Sequence, residues 1–199
     1  MNISKDLLKH RAEFSRALRN HNYEVSESGI FFPGANVMAS GVYTHDVNGK
    51  DERTDSNIVV TEGLNSLLDV ALHDATKIAT WYFRLFSANT SPLATWTAAN
   101  FTANATEITS GTEGYSEATG QAFVEAAAAA GAITNSASKA AFTIATASSI
   151  SVWGAGLLSN STKGGTTGTL MSASKFGAVR TLYNTDVFNL GYTLTLTST

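Results

Sequence analysis

The chain has no cysteine among its 199 residues. Disulfides and thiolate metal sites are therefore excluded. Charge is sparse: Asp, Glu, Lys and Arg make up 15% of the chain, against about 25% in ordinary globular domains. The net charge of −3 speaks against a dedicated nucleic-acid binder, which carries a basic face. No apolar run reaches the ~18 residues of a membrane span. The first residues, MNISKDLLKHRAEF, are charged where a secretory leader is apolar. These absences lead to the expectation of a soluble protein made in a cytoplasm, with no direct nucleic-acid or membrane binding.

Chemistry motifs are missing too. NSTKGGTTGTL (160–170) contains a lysine and glycines, but Lys163 precedes Gly164 and Gly165. A Walker loop needs its lysine after the glycines, at the start of a helix; here a strand-like segment follows, so a turn is expected. The histidines His10, His21, His45 and His73 are scattered without metal-ligand spacing. Asp46–Asp51 offers oxygen ligands but lacks the terminal glutamate of a calcium loop. There is no GxSxG. Glu107, Glu113, Glu117 and Glu125 are candidates for a glycosidase pair only by residue type. Trp81 and Trp153 lie in apolar runs and read as core, which leaves Trp96 as the one surface-contact candidate. Three Asn-x-Thr matches, at Asn100, Asn104 and Asn160, have no secretion signal to support them. No cofactor and no metal are expected.

What is present is a division of character. Of 29 charged residues, 16 lie in positions 1–62 and 9 in 87–199, where Thr, Ser, Ala and Gly dominate. Residues 4–20 read as a helix with Ser4 as cap. Leu7, Phe14 and Leu18 form a narrow apolar stripe, and Lys5, Lys9, Arg16 and Arg19 lie on the other face. Two readings stand side by side: a helix packed on its own domain, or an anchor docking on a partner subunit. Residues 37–47 read as a strand that meets Asn48-Gly49, the strongest short hairpin signal. The return strand carries Lys50, Asp51, Glu52, Arg53 and Asp55, so the hairpin is expected to project into water or toward a polar partner.

Residues 61–73 read as a helix. Leu64, Leu67, Leu68, Ala71 and Leu72 fall at helical spacing, a stripe wide enough to lie against a sheet. WYFRLF (81–86) reads as a buried strand. Residues 87–110 read as loop with at most one short element, and 126–130 as loop or poor strand. Strands are expected over 139–146, 150–158, 170–173 and 179–182. A last strand alternates Phe188, Leu190, Tyr192, Leu194 and Leu196 with polar or small residues. The fold class is mainly β: an antiparallel β-sandwich or jelly-roll-like body over 57–199 with one packed helix, and an N-terminal helical arm with its hairpin over 1–56.

Several segments in order, NIVVTEGLNSLLDVAL, TWYFRLF, YSEATGQAF, NSASKAAFTI, LLSNSTKGGTTGTLMS and VFNLGYTLTLT, resemble small β-rich structural proteins of tailed bacteriophages, among the head and tail components. The resemblance runs from Asn57 to the C-terminus. It implies a non-enzymatic virion component in many copies, made in the host bacterial cytoplasm. It also implies a homo-oligomer whose partners are capsid, portal or connector, or tail subunits. The expected assembly residues are Leu7, Arg11, Phe14, Leu18 and Arg53, and the expected core helix residues are Leu64, Leu67, Leu68 and Leu72. The competing reading is a carbohydrate-binding or receptor-binding adhesin or fibre module acting through Trp96 and nearby glutamates.

Overall fold

A computed structural model describes residues 24–26, 29–31 and 37–198. The expected arm helix, with Leu7, Arg11, Phe14 and Leu18, lies outside the described residues. Strands β1 (Glu24–Ser26) and β2 (Gly29–Phe31) pair antiparallel, Glu24 opposite Phe31, in a unit of their own.

The main unit is Ala39–Leu196. Its elements are β3 (Val37–Val47), β4 (Lys50–Ser56), β5 (Ile58–Val59), α1 (Thr61–Leu72), β6 (Tyr82–Phe86), α2 (Ala98–Ala105), β7 (Gly114–Tyr115), β8 (Gln121–Ala122), β9 (Ala132–Thr134), β10 (Ala140–Ala145), β11 (Ser149–Leu158), β12 (Leu170–Tyr183) and β13 (Val187–Ser198). One sheet has the order β4-β3-β13-β10-β7, with β9 also on β13; the other has the order β5-β12-β11-β6-β8. The protein is mainly β, built of two antiparallel sheets. Strands β3 and β4, which fall in the expected arm over 1–56, are integral strands of the first sheet.

Alternation places the core. In β10 Ala140, Phe142 and Ile144 are buried while Ala141 and Thr143 are exposed. In β13 Phe188, Leu190, Tyr192 and Leu194 are buried; Leu196 is exposed. These side chains meet Tyr43, Phe83, Leu85 and Val152 in the principal core cluster. A second cluster of Val60, Phe86, Trp96, Phe101, Leu158 and Leu170 lies beside it. With apolar neighbours in both clusters, β11 is almost continuously buried over its last seven residues rather than alternating. Gly154 and Gly156 make this possible: a Cβ at Gly156 would sit 2.6 Å from the Phe101 ring, and one at Gly154 would collide with Phe86.

Helix α2 is a short element of the kind allowed for within 87–110. Its sequence, AANFTANA, has only Ala98, Phe101 and Ala105 as a buried face, and Asn100 Oδ1 accepts a hydrogen bond from Thr97 N at 2.8 Å to hold its start. The two short strands expected at 170–173 and 179–182 are one strand, β12. Between Val152 and Gly154 of β11 a single residue intervenes; opposite them, Arg180 and Lys175 are separated by residues 176–179. That irregularity is the break seen in the sequence. Residues 126–130 lead into a tight turn: Ala129 and Ala132 bridge, with Ala130 at φ 50° and Gly131 at φ 76°.

The leucine stripe of α1 is the main correction. Leu64, Leu68 and Leu72 are 38%, 56% and 82% exposed, and only Leu67 packs against the core. The face that meets β12 holds Gly63, which is buried, with Ser66 and Leu67 half-buried. A Cβ at Gly63 would collide with the Met171 carbonyl. Periodicity shows that a stripe exists but not which side of the helix approaches the sheet. The bare backbone at Gly63 allows the closest approach, and the leucines turn outward.

Candidate assembly surface

Helix α1 is anchored at its start. Thr61 N donates to Ala94 O at 3.0 Å. Glu62 Oε2 accepts from Ala98 N at 2.8 Å and from Leu170 N at 2.7 Å, so one carboxylate joins α1, the start of α2 and β12. The amide donors at the α2 N-terminus favour a negative charge there. With that end fixed, Leu64, Leu68 and Leu72 lie at i, i+4 and i+8, one line along the outer surface. Val70, 40% exposed, lies on the opposite side of the helix. A shallow depression flanks the helix, lined by Asn65, Asp69, Val70, Ala75 and Ile78.

The hairpin β3–β4 ends the first sheet, and β4 faces water at every residue but Asp55, which is half-buried. Several of its polar side chains also bond back to the body. Asn48 donates to Asp186 Oδ1 and accepts from Val187 N, both at 2.8 Å. Lys139 Nζ donates to Asp46 at 2.9 Å and to Glu52 at 2.5 Å. Asn189 Nδ2 donates to Asp46 at 2.7 Å. Burial alone would raise the Asp46 pKa, but the bonds from Asn189, Lys139 and Gly49 outweigh it and hold it below the ordinary value. Lys139 is raised: burial works against its charge, and Glu52 and Asp46 more than compensate. Arg53, expected to meet a partner, has a side chain 42% exposed and paired with Asp51 at 2.6 Å.

The loop between β11 and β12 holds the lysine-glycine motif, with Lys163, Gly164 and Gly165. It covers a buried ion pair that sequence reading did not anticipate. Arg84 sits inside β6 with its side chain fully buried. Its Nε donates to Glu107 Oε1 at 2.7 Å, and its Nη2 pairs with Glu107 Oε2. Nη2 also donates to Thr102 Oγ1 and to Gly165 O, both at 3.0 Å. Gly164 N donates to Glu107 Oε1 at 3.0 Å. The loop glycines thus bind a carboxylate–guanidinium pair of the same chain. Lys163 donates to Tyr115 O at 2.6 Å, and its ammonium stands 3.6 Å from the Tyr115 ring centroid. Burial, with the Glu107 charge adding, pushes the Tyr115 hydroxyl well above its ordinary pKa. The only signal in the sequence was an arginine in the middle of WYFRLF.

Three of the four glutamates considered for sugar chemistry are engaged elsewhere, and Glu125 is exposed. Glu107 holds Arg84. Glu113 accepts from Thr146 Oγ1 at 2.6 Å and Ala147 N at 2.9 Å. Glu117 accepts from Thr143 N at 3.0 Å. Trp96 is 4% exposed, packed edge-on to Phe86 and Phe101. The adhesin reading therefore loses its aromatic. Among the described residues no cluster of three or more His, Asp or Glu side chains is placed to hold a metal ion. Among them, too, no helix is long and apolar enough to cross a membrane.

No protein-family model and no curated protein matches this chain. The site is therefore read from its own geometry. Among the described residues, an outward-facing apolar feature on a regular element is the leucine line on α1.

Proposed function

We propose that this chain is a non-enzymatic structural component of a tailed-phage virion. It is present in many copies and contacts capsid, connector or tail subunits. The order of segments from Asn57 onward supports the phage reading. The observation that carries the assembly reading is the line Leu64, Leu68 and Leu72, exposed on a helix fixed to the sandwich by Glu62 and Gly63. Exposed apolar rows with a polar rim mark protein contact sites. Asp69 and Asp74 supply that rim here. The row alone is smaller than a stable interface, which buries about 1,200–2,000 Å² in total. The occupant is therefore another virion subunit that also touches surface around α1.

The test is particle incorporation. Leu64→Ser, Leu68→Ser and Leu72→Ser together leave the fold intact and reduce incorporation at least tenfold, which is roughly 1.4 kcal/mol of binding. Normal incorporation of the triple variant would remove α1 from the interface.

A further inference from the structure

Two strand edges lie next to each other without a ladder. Among the described residues β4 ends one sheet, and β12 beyond Ala173 has no strand partner on the side away from β11. Side chains bridge them instead. Ser174 Oγ donates to Ser56 O at 2.8 Å, and Gly177 N donates to Asp55 Oδ1 at 2.6 Å. Arg180 donates to Asp51 Oδ2 at 2.5 Å and to Asp51 O at 2.7 Å. His45 of β3 sits at the centre with its side chain fully buried, between Arg180 Nε at 2.9 Å and Asp55 Oδ2 at 2.8 Å. Arginine has no acceptor. Nδ1 must therefore be the unprotonated nitrogen, and Nε2 carries the proton it donates to Asp55.

We propose that this cluster is an acid-sensitive latch: protonation of His45 at Nδ1 breaks the bond from Arg180 and frees the β4 and β12 edges from each other. The groups facing the ring from each packed element are Asp55, Asp51 and Arg53 of β4, Arg180 and Phe176 of β12, and Phe188 of β13. Phe176 stacks on the ring at 3.9 Å and Phe188 lies at 5.6 Å. Asp46, next along β3, is occupied by Lys139 and Asn189. Burial disfavours the imidazolium first, Asp55 favours it, and Arg180 and Arg53 oppose it; the result is a pKa below the ordinary value. The unfolded or locally open chain takes up this proton near pH ~6.5. The latch is therefore complete above that pH and weakens as pH falls from it through the lower, closed-state value. Once freed, the edges are templates for pairing with another chain.

Hydrogen exchange read by mass spectrometry on the full chain at pH 7.5 and 5.0, corrected for intrinsic rates, tests this. Protection over 50–56 and 174–183 falls about tenfold for each unit by which the closed state depresses the pKa, while 140–145 is unchanged. His45→Gln, which has no proton to gain, removes the pH difference. The same loss in His45→Gln would assign it to carboxylates and overturn the latch, as would equal wild-type protection at both pH values. If the variant does not fold, ring NMR of the wild type decides. A His45 ring in the Nε2–H form that titrates below the ordinary range supports the latch. Titration at or above that range overturns it.

Discussion

Arg84 and Glu107 form an ion pair with both side chains fully buried, under a loop to which neither belongs. Gly164 N and Arg84 Nε share one oxygen of Glu107. The loop therefore depends on the pair, and the pair on the loop. Glu107→Ala leaves the guanidinium buried without its partner, and urea unfolding should show a loss of about 3–5 kcal/mol. Arg84→Met combined with Glu107→Leu should lose far less than either single change. A loss in the double variant equal to the sum of the two single losses would mean the pair is not coupled.

Gly63 and Leu68 should behave in the opposite way to what the leucine pattern suggests. Gly63→Ala places a methyl group on the Met171 carbonyl and should cost about 1–3 kcal/mol. Leu68→Asp, at a position 56% exposed, should stay within about 0.5 kcal/mol of wild type. Thermal melts of the two variants check this. An unfolded Leu68→Asp would restore the buried-stripe reading.

This reversal shows where sequence reading stopped. The strands 140–145 and 187–198 were legible because alternation maps directly onto the faces of a sheet, and 149–158 was legible as an apolar run with glycines. The helix 61–72 was legible from its period. Its orientation was not, because the choice between Gly63 and Leu64 as the contact depends on the shape of β12. Helix α2 was hidden in a Thr-, Asn- and Ala-rich stretch held by tertiary contacts through Phe101. The bonds from the charged hairpin back to the body were not legible because its partners, Arg180, Lys139, Asp186 and Asn189, lie roughly ninety or more positions away along the chain. A burial pattern cannot announce such distant pairs.

Asp46 sets a separate acid limit. Its pKa is lowered in the folded chain, so the stability it contributes is present above the unfolded carboxylate value and is lost as pH falls through the folded one. Asp46→Asn should flatten the decline in melting temperature as pH falls below the ordinary carboxylate value. An unchanged decline would place the acid sensitivity elsewhere. This window lies below that of His45, so the two effects separate on one pH series.

Ala130 holds a left-handed φ of 50° ahead of Gly131, a conformation that disfavours a residue with Cβ. Asn is preferred at this turn position. Ala130→Asn should raise stability by about 0.5–1 kcal/mol, seen as a higher denaturant midpoint with an unchanged slope. A lower midpoint would mean that the turn tolerates alanine because of contacts the substitution breaks.

The central claim is membership of a particle. On the proposed reading a tailed phage encodes this chain, and quantitative mass spectrometry of that phage's purified virions tests the claim most directly. The account predicts the protein in intact particles at about six or more copies, the least that ring symmetry around a tail axis supplies, rising to hundreds for a head decoration. Its absence from purified virions, with abundant protein in the infected-cell lysate, would contradict the account.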